Sequence, residues 1–398
     1  LTLFPYTTLF RSLVTGARQV GKTSVLRHLS QARRMYVSLD DPLVLQLAKN
    51  DPALFFQRYT PPLLIDEIQY APELLPYIKM IVDERHTSGD FWLTGSQAFH
   101  LMRGVSESLA GRTAVIHLSG FSRRETALSS GAPTPFLPTR SCITKRLKAT
   151  SPLPLKDLYT CIWRGSFPAL IANPRMDSHL FFSSYLQTYL QRDIRDLARV
   201  GDELSFLRFI RSAAARTGQL LNLADLARDV GVAFNTAKHW LSILETSGLV
   251  FLLEPYFTNV SKRLVKTPKL YFTDTGLCRY LTEWTSPQTL EAGAMAGAFF
   301  ETWVVMEIVK GYQQLGIRPP LTFYRDKDGK EVDLLIVGDG TVYPLEIKKT
   351  ASPNQYDVRH FATLKCGPHV VGEGGIICLT KQYLPLTHAA AAIPCSAL

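Results

Sequence analysis

The sequence lacks the closely spaced cysteines and the long apolar stretches that mark two large classes of protein. Its 398 residues contain six cysteines, and no two of them form a CxxC pair. This spacing argues against a disulfide scaffold or a zinc knuckle and favours buried, reduced thiols. No apolar run approaches the roughly 18 to 20 residues that a membrane-spanning helix needs, so a transport function is excluded. Both absences are typical of a cytoplasmic protein, and we predict that location.

The first dozen residues also lack the features of a signal peptide. They have no positively charged start, no long apolar core and no small-residue cleavage site. The stretch "TLFPYTTLFRS" instead reads as a translated sequencing adapter, so we interpret residues 1–12 as non-native and expect native sequence to begin near Leu13. The alternative is a genuine short strand, because "TTLFRSLV" is apolar enough to form one.

Acidic residues are fewer than basic ones. The 44 Lys and Arg outnumber the 34 Asp and Glu, which gives a net charge of +10 and a pI near 9.3. Such a surface attracts polyanions, nucleic acid before membrane. The alternative is that scattered basic residues serve solubility alone, and charge does not separate the two. With 46% apolar and 20% charged residues the chain is folded, and its length favours roughly two to four compact units.

A phosphate-binding loop stands near the start of the chain. "GARQVGKT" fits G-x-x-x-x-G-K-[ST], follows an apolar strand pattern and precedes a helical one. The glycines let successive N–H groups point at phosphate oxygens, Lys22 reaches the β- and γ-phosphates, and the Thr23 hydroxyl holds Mg²⁺. The alternative is a chance match in a loop. The predicted nucleotide contacts are Gly16, Ala17, Arg18, Gln19, Val20, Gly21, Lys22, Thr23 and Ser24.

Two acidic residues follow a second apolar strand, in "PPLLIDEIQY". This is how a Walker B strand ends: Asp66 binds the Mg²⁺ through water, and Glu67 orients and deprotonates the attacking water. The alternative is an acidic helix cap. Thr94, at the end of the strand in "DFWLTGSQ", is a candidate sensor of the γ-phosphate or else part of an ordinary turn. Arg112 is a candidate arginine finger or else a surface arginine.

Strands and helices alternate regularly through residue 118. This alternation predicts a parallel, buried sheet with helices on both faces. A ligand then sits at the carboxyl ends of the strands, where Gly16, Asp66 and Thr94 fall.

At these motifs the chain resembles a known group. "GARQVGKTS", "LLIDEIQ", "LTGSQ" and "LAGR…LSGFSRRE" together resemble the AAA-type P-loop ATPases of many bacteria and archaea, whose members carry a C-terminal domain of uncharacterised function. The resemblance covers the chain from Leu13 to roughly Tyr383 and implies ATP and Mg²⁺ as cofactors. Family members usually have some tens of residues before the loop, and without them adenine recognition is unaccounted for.

The middle of the chain changes pattern twice. Residues 127–158 are rich in Ser, Thr and Pro and read as a linker or long exposed loop. Residues 205–256 read as helix, turn at Gly231, helix and then a β-wing, which predicts a winged helix. A winged helix docks either DNA or a protein, and the net charge favours DNA. Lys266 and Lys269 follow the wing and are expected to meet phosphates. The predicted DNA contacts on the helix and wing are Asn235, Thr236, Lys238, His239, Lys262 and Arg263.

A carboxylate cluster is predicted near the end of the chain. Glu301 lies on an amphipathic helix, Asp333 on a strand, and Glu346 and Lys348 on the return strand of a hairpin. Two acids and a lysine on one sheet face are able to hold Mg²⁺ for phosphodiester cleavage. The order resembles the D…ExK arrangement of the restriction-endonuclease-like fold. The alternative is a surface hairpin with a salt bridge, and the fold is often kept when the chemistry is lost.

We therefore predict an α/β protein: a P-loop NTPase parallel-sheet core, then a helical and winged-helix domain, then a C-terminal restriction-endonuclease-like α/β domain. The leading function is a Mg²⁺-dependent ATPase that couples hydrolysis to DNA binding or processing. The alternatives are a nucleotide-gated DNA- or protein-binding regulator with little turnover and an ATP-dependent endonuclease. The partners are ATP and double-stranded DNA, with a homo-oligomer left open. The predicted boundaries are as follows: the non-native segment 1–12, the P-loop ATPase core 13–126, the linker and helical segment 127–200, the winged-helix domain 201–285, the nuclease-like domain 286–385 and a loose tail 386–398.

Overall fold

The chain forms two compact units. The computed structural model describes residues 11–30, 33–87, 89–95, 113–127, 134–189, 203–257, 267–364 and 366–398. The N-terminal unit comprises Leu1–Gly120 with Ile243–Leu249, and the C-terminal unit comprises Phe121–Ser242 with Val250–Leu398. Within the described ranges, no helix combines the length and apolarity needed to cross a membrane.

A five-stranded parallel sheet is the centre of the N-terminal unit. Its strands lie in the order β2-β3-β4-β1-β5 and pair in parallel throughout. All five coincide with the apolar runs of the sequence, so the predicted P-loop-type core is confirmed. Because the strands are parallel, Thr15, Asp66 and Thr94 end neighbouring strands at one edge of the sheet. The strands are β1 Arg11–Thr15, β2 Met35–Ser38, β3 Leu63–Asp66, β4 Phe91–Thr94 and β5 Thr113–His117.

Short helices connect these strands. One helix was expected between β2 and β3, but two occur there, because Asp51 ends one and caps the next: its side chain accepts from the Leu54 backbone N–H. A proline at the first helical position then fits the start of the second helix. The helices of this unit are α1 Lys22–Ser30, α2 Pro42–Asn50, α3 Pro52–Arg58 and α4 Leu74–Arg85, with a 3₁₀ helix at Ile68–Tyr70.

The C-terminal unit begins in the segment that was predicted to be a linker. That prediction is partly wrong, because "RSCITKRLKA" forms a helix whose N-cap, Thr139, accepts from the Cys142 backbone N–H. Ile143 and Arg146 of this helix are buried, which the low overall hydrophobicity of the segment concealed. The helices here are α5 Arg123–Thr126, α6 Arg140–Ala149, α7 Leu155–Arg164, α8 Pro168–Ala172 and α9 Ser178–Tyr189.

Three helices and a small antiparallel sheet follow. The helices are α10 Glu203–Ala214, α11 Leu223–Val230 and α12 Phe234–Thr246, and the strands are β6 Gln219–Leu220, β7 Val250–Leu253 and β8 Lys269–Phe272. The sheet has the order β6-β8-β7, with antiparallel pairing on both sides of β8. Gly231 adopts a left-handed conformation with φ 75° at the end of α11, as the predicted turn requires.

A seven-stranded mixed sheet forms the rest of the C-terminal unit. Its order is β14-β15-β13-β11-β10-β9, and β12 pairs with β11. The strands are β9 Leu321–Arg325, β10 Glu331–Gly338, β11 Thr341–Ile347, β12 Val370–Val371, β13 Gly374–Cys378, β14 Leu384–Pro385 and β15 Ala390–Pro394. The helices α13 Thr275–Leu281, α14 Pro287–Ala292 and α15 Ala296–Gln313 precede it.

The predicted loose tail is wrong. Residues Ala390–Pro394 form β15, which pairs in parallel with β13 over its whole length and is buried at every position. "HAAAAIP" is short, apolar and compatible with a strand, but its partner is available only in the folded sheet. Of the six cysteines, Cys278, Cys366, Cys378 and Cys395 are buried, Cys142 is half-buried and Cys161 is exposed, and all six are free thiols.

Candidate functional site

The phosphate-binding loop needs its two glycines for different reasons. Gly16 has φ 142°, and a Cβ built there would lie 2.0 Å from the carbonyl oxygen of Leu118. Gly21 has φ 91° but no atom within 4 Å of such a Cβ. Gly16 is therefore required by conformation and space, whereas Gly21 is required by conformation alone. Gln19 also adopts positive φ, at 60°.

Lys22 lies folded back on the loop that it belongs to. Its side chain is buried, and its ammonium donates to the carbonyl oxygens of Gly16 at 3.0 Å and Ala17 at 2.9 Å. Carbonyl oxygens are weaker partners for an ammonium than phosphate oxygens are. The lysine is thus held at the loop in a position from which it is able to exchange partners.

The carboxylate of Asp66, at the end of β3, is contacted by side chains from β2, from β4 and from the start of α1, directly after the loop. Asp66 is 5% exposed. It accepts hydrogen bonds from the hydroxyl of Thr23, at 2.9 and 3.0 Å, and from that of Tyr36 at 3.0 Å. The Thr94 hydroxyl donates to the same carboxylate. The predicted pair of Thr23 and Asp66 and the predicted Thr94 therefore come together.

This donor set fits a magnesium ion. Mg²⁺ prefers hard oxygen ligands, usually one or two carboxylates together with hydroxyl, water and phosphate oxygens. The Thr23 hydroxyl and the Asp66 carboxylate supply two such oxygens within hydrogen-bonding distance of one another. The residues named from the sequence for the metal are thus adjacent in space.

Glu67 stands beside this group in an unusual backbone conformation. It has φ 58° and ψ 45°, the left-handed region that non-glycine residues rarely adopt. Its backbone N–H donates to the Thr94 hydroxyl at 3.3 Å, and Gln69 donates from its side-chain amide to the Glu67 carboxylate. Strained backbone of this kind is common at functional sites. The candidate arginine finger, Arg112, lies outside the described residues.

His117 underlies the loop from the neighbouring strand β5. Its Nδ1 lies 3.5 Å from the hydroxyl of Thr15, the residue before Gly16. Burial, and secondarily the charge of Lys22, lowers the pKa of His117 to about 4. The imidazole is therefore neutral near pH 7 and adds no positive charge beneath the phosphate-binding loop.

The candidate DNA-contacting residues of α12 lie on its outer face. Asn235, Lys238 and His239 are exposed and Thr236 is half-buried, whereas Ala237 and Trp240 are buried. Lys262, Arg263 and Lys266 lie outside the described residues. Lys269 does not meet phosphates as expected, because it is 3% exposed.

The predicted acids of the C-terminal unit come together. The side chains of Glu301 on α15 and Asp333 on β10 lie within 3.5 Å of one ammonium group, that of Lys269 on β8. Asp333 also accepts from the backbone N–H of Ile347 at 2.9 Å, which fixes it beside the end of β11. Glu346, on β11, lies next to Asp333. Glu331 joins the group through an ion pair of 2.6 Å with Lys269.

Lys348 is not the lysine at the centre of this cluster. Its ammonium donates to Asp357 at 2.9 Å, because β11 ends at Ile347 and Lys348 turns towards the 3₁₀ helix Gln355–Thr363. Lys269 stands among the acids instead. No group of three or more His, Cys, Asp or Glu in the described part of the chain is arranged to hold a metal ion.

Burial and mutual repulsion change the proton affinity of the cluster. Burial, and then the charge of Asp333, raises the pKa of Glu301 to about 7 and that of Glu346 to about 9. For Lys269, burial works to lower the pKa, but the carboxylates of Glu301, Asp333 and Glu331 outweigh it and raise the pKa above its ordinary value. Lys269 therefore stays charged, whereas burial and the neighbouring Asp333 favour the neutral forms of Glu301 and Glu346.

Four residues of these two sites were not assigned to them from the sequence, although Lys269 was named there as an expected phosphate contact. Tyr36 and Gln69 contact the two acids of the nucleotide site, and Lys269 and Tyr271 contact Glu301. "LLIDEIQ" placed Gln69 two residues after Glu67, which was a usable signal. The other three lie on strands of ordinary composition, so only their neighbours in the sheets reveal them.

Comparison with known proteins identifies the family. The chain is 30% identical over 344 residues to the uncharacterized protein Rv2008c of Mycobacterium tuberculosis, a match that covers 86% of this chain and 71% of the relative. The uncharacterized protein Mb2031c of Mycobacterium bovis matches with the same figures. The chain belongs to their family. Residues 11–127 match the AAA domain, 155–288 a domain of unknown function, DUF8612, and 296–398 a domain of unknown function, DUF4143.

The AAA match agrees with the nucleotide site described above. The N-terminal part of this family member is an AAA-type, nucleotide-binding ATPase domain, as the loop and the Walker B strand predicted. The family's two further domains have no assigned function.

Two solved structures show weak overall similarity. The Thermotoga maritima RuvB Holliday junction branch migration motor has a TM-score of 0.28 and 16% identity, over 61% of this chain and 82% of that one. Protein VC1899 from Vibrio cholerae has a TM-score of 0.17 and 12% identity, over 95% of this chain and 90% of that one. TM-scores this low do not establish a shared overall fold.

Proposed function

We propose that this protein is a Mg²⁺-dependent ATPase that couples ATP hydrolysis to the binding of double-stranded DNA. The observation that carries the proposal is the Asp66 carboxylate, which accepts from the hydroxyls of Thr23 and Thr94. This is the arrangement that joins a phosphate-binding loop to a hydrolytic site. The AAA domain match over residues 11–127 supports the ATPase half of the proposal.

The side chains divide the work of hydrolysis. Lys22 would exchange the Gly16 and Ala17 carbonyls for the β- and γ-phosphates, and Thr23 and Asp66 would hold Mg²⁺. When bound, Mg²⁺ neutralises part of the phosphate charge. Glu67 orients the attacking water and accepts its proton, and the Gln69 amide holds the Glu67 carboxylate in place.

The DNA half of the proposal depends on the region from α10 to β8. The order helix, strand, helix, helix, strand, strand, with β8 central in a three-stranded antiparallel sheet, supports the prediction of a winged helix. In that motif the second helix of the pair enters the major groove through its N-terminal residues. Asn235, Lys238 and His239 are the exposed polar residues at that end of α12. The net charge of +10 favours DNA over a protein partner.

The last turn of α12 offers a route for coupling. The segment Ile243–Leu249 belongs to the N-terminal unit. There, a Cβ built on Gly248 would lie 3.3 Å from the backbone nitrogen of Ala17 and 3.5 Å from the ring of His117. A change of the loop on nucleotide binding is therefore able to reach the last turn of α12 within the N-terminal unit.

Steady-state ATP hydrolysis tests the proposal. We would measure residues 13–398 with Mg²⁺, with and without duplex DNA, beside Lys22→Ala and the exposed control Lys49→Ala. We expect DNA to stimulate turnover, Lys22→Ala to abolish it and Lys49→Ala to retain it.

DNA affinity is measured in parallel on Lys238→Ala, with the exposed Lys145→Ala as its control. Loss of a phosphate contact weakens binding and lowers the salt slope by about one.

Two other outcomes assign a different function. Retained DNA binding with negligible turnover, including in a protein with a longer N-terminus, identifies a nucleotide-gated regulator. DNA cleavage that Asp333→Ala or Glu346→Ala abolishes identifies an ATP-dependent endonuclease.

A further inference from the structure

The carboxylate cluster of the C-terminal unit already contains a cation. The ammonium of Lys269 lies 2.6 Å from Glu331, 3.3 Å from Glu301 and 3.5 Å from Asp333, and the Lys269 side chain is 4% exposed. Its strand, β8, is the central strand of the three-stranded sheet, where Lys269 is paired with Leu220 on one side and Leu253 on the other. The backbone of Lys269 is thus fixed from both sides.

The rest of the cluster is arranged around that ammonium. Tyr271, two residues along the same strand, donates its hydroxyl to Glu301 at 2.6 Å. Asp333 is held by the Ile347 backbone N–H, and Glu331 is shared with Arg325 at 3.1 Å. Each acid therefore has partners of its own in addition to Lys269. A divalent ion bound by the same oxygens would have to displace a buried, ion-paired ammonium, which is unfavourable.

A restriction-endonuclease-like fold implies a divalent metal at this position, and the residues present do not fit one. Metal ligation needs carboxylates whose charge and lone pairs are available. Here the ammonium of Lys269 neutralises the carboxylates of Glu301, Glu331 and Asp333 and occupies their lone pairs. The lysine that the nuclease pattern supplies, Lys348, is turned away to Asp357.

We propose that Lys269 is the resident cation of this cluster and stands where a nuclease of this fold would hold its divalent metal, so that the C-terminal domain does not cleave DNA. The residues of this cluster all belong to the C-terminal unit, and none of them takes part in the ATP hydrolysis proposed above. The consequence of this assignment is unusual: removal of one lysine should allow a metal site to form, because Glu301, Glu331, Asp333 and Glu346 would lose the ammonium that stands among them and be able to close around a divalent ion.

Binding of Mn²⁺ to the nucleotide-free full chain tests this directly, with free Mn²⁺ measured by electron paramagnetic resonance. The variants are Lys269→Met, which keeps the length of the side chain, and Lys310→Met as a matched control. Lys310 is equally buried and ion-paired, but to one carboxylate, Glu307 at 3.0 Å. We expect Lys269→Met to bind one Mn²⁺ more than the wild type, because a hard divalent cation selects clustered carboxylates. Lys310→Met should gain none.

A second substitution assigns the ion to the cluster. Adding Asp333→Asn to Lys269→Met should remove the additional ion, whereas adding Asp66→Asn should not, because Asp66 belongs to the nucleotide site. Circular dichroism monitors the fold of each variant. If Lys269→Met gains no ion although it folds, the proposal is wrong.

A separate test uses the wild-type chain and needs no Lys269 variant. Plasmid DNA incubated with the wild-type chain and Mn²⁺ should remain intact, and Asp333→Asn should leave Mn²⁺ binding by the otherwise wild-type chain unchanged. Cleavage or Mn²⁺ binding that Asp333→Asn abolishes would overturn the proposal, whether or not Lys269→Met folds.

Discussion

The hydroxyl of Thr23 donates to both oxygens of the Asp66 carboxylate, at 2.9 and 3.0 Å, across 43 residues of sequence. The first residue belongs to the start of α1 and the second to the end of β3. They meet because β4 alone separates β1 from β3, which brings the carboxyl ends of these strands to one edge of the sheet. Nucleotide chemistry in this chain therefore depends on strand order as much as on the loop motif.

Substitution Glu67→Gln should separate binding from hydrolysis. Glutamine keeps the size of the side chain and the left-handed backbone but does not accept a proton from water. We expect ATP binding within about twofold of the wild type and turnover reduced by about 10²-fold or more. Nucleotide affinity and steady-state turnover check this, with the exposed Glu73→Gln as a control. Turnover close to the wild-type rate would show that another group is the base.

Substitution Tyr36→Phe should weaken the use of Mg²⁺. It removes one of the hydroxyls that orient the Asp66 carboxylate, a hydrogen bond worth about 1 kcal/mol. We expect the Mg²⁺ concentration at half-maximal ATP turnover to rise about fivefold, with the maximal rate little changed. Tyr77→Phe is the control, because Tyr77 is half-buried in the same unit on α4. A lower Mg²⁺ requirement would mean that Tyr36 competes with the metal instead.

Substitution Gly16→Ala should reduce stability and nucleotide binding far more than the same substitution at a glycine within a helix. The new Cβ meets the Leu118 carbonyl oxygen at 2.0 Å and the backbone stands at φ 142°. We expect nucleotide binding to be lost and the unit to be destabilised by about 2 kcal/mol or more. Gly311→Ala in α15 meets no atom within 4 Å and should stabilise by about 0.5 kcal/mol. Thermal unfolding and nucleotide affinity measure both, and equal effects would contradict this account of Gly16.

Acid should destabilise the N-terminal unit through His117. The pKa of this buried imidazole is about 4 in the folded chain against an ordinary value of 6.5. Between these values the unfolded chain binds a proton that the folded chain does not, so stability rises with pH across this window and is lost as the pH falls through it. The full effect is on the order of 3 kcal/mol.

Two variants isolate that effect. In His117→Gln the change of melting temperature between about pH 7 and about pH 5 should be smaller than in the wild type, because the titrating group is gone. The exposed His28→Gln should behave like the wild type. An unchanged pH dependence in His117→Gln would assign the acid sensitivity to other groups.

Local patterns in the sequence were sufficient for the nucleotide loop. The conformations of Gly16 and Gly21, the helix that begins at Lys22 and the acids that end β3 are properties of short segments, and each has a composition that favours one structure. The apolar runs of β1 to β5 likewise predicted a parallel sheet. Where composition was weak, as in α6 and β15, the sequence predicted part of a linker and a loose tail, and the structure has a helix and a strand there.

The partners of the charged groups were decided by tertiary structure. Lys269 and Glu301 are 32 residues apart, and Lys269 and Asp333 are 64 apart. Their contact requires β8, α15 and β10 to pack together, and no short segment carries information about that packing. Residue types and their spacing were enough to predict which residues are able to bind phosphate, metal or protons. Only the tertiary structure shows that Lys269 and not Lys348 lies among the acids. A buried carboxylate needs a cation as a partner, and the packing of distant segments sets which cation is near it.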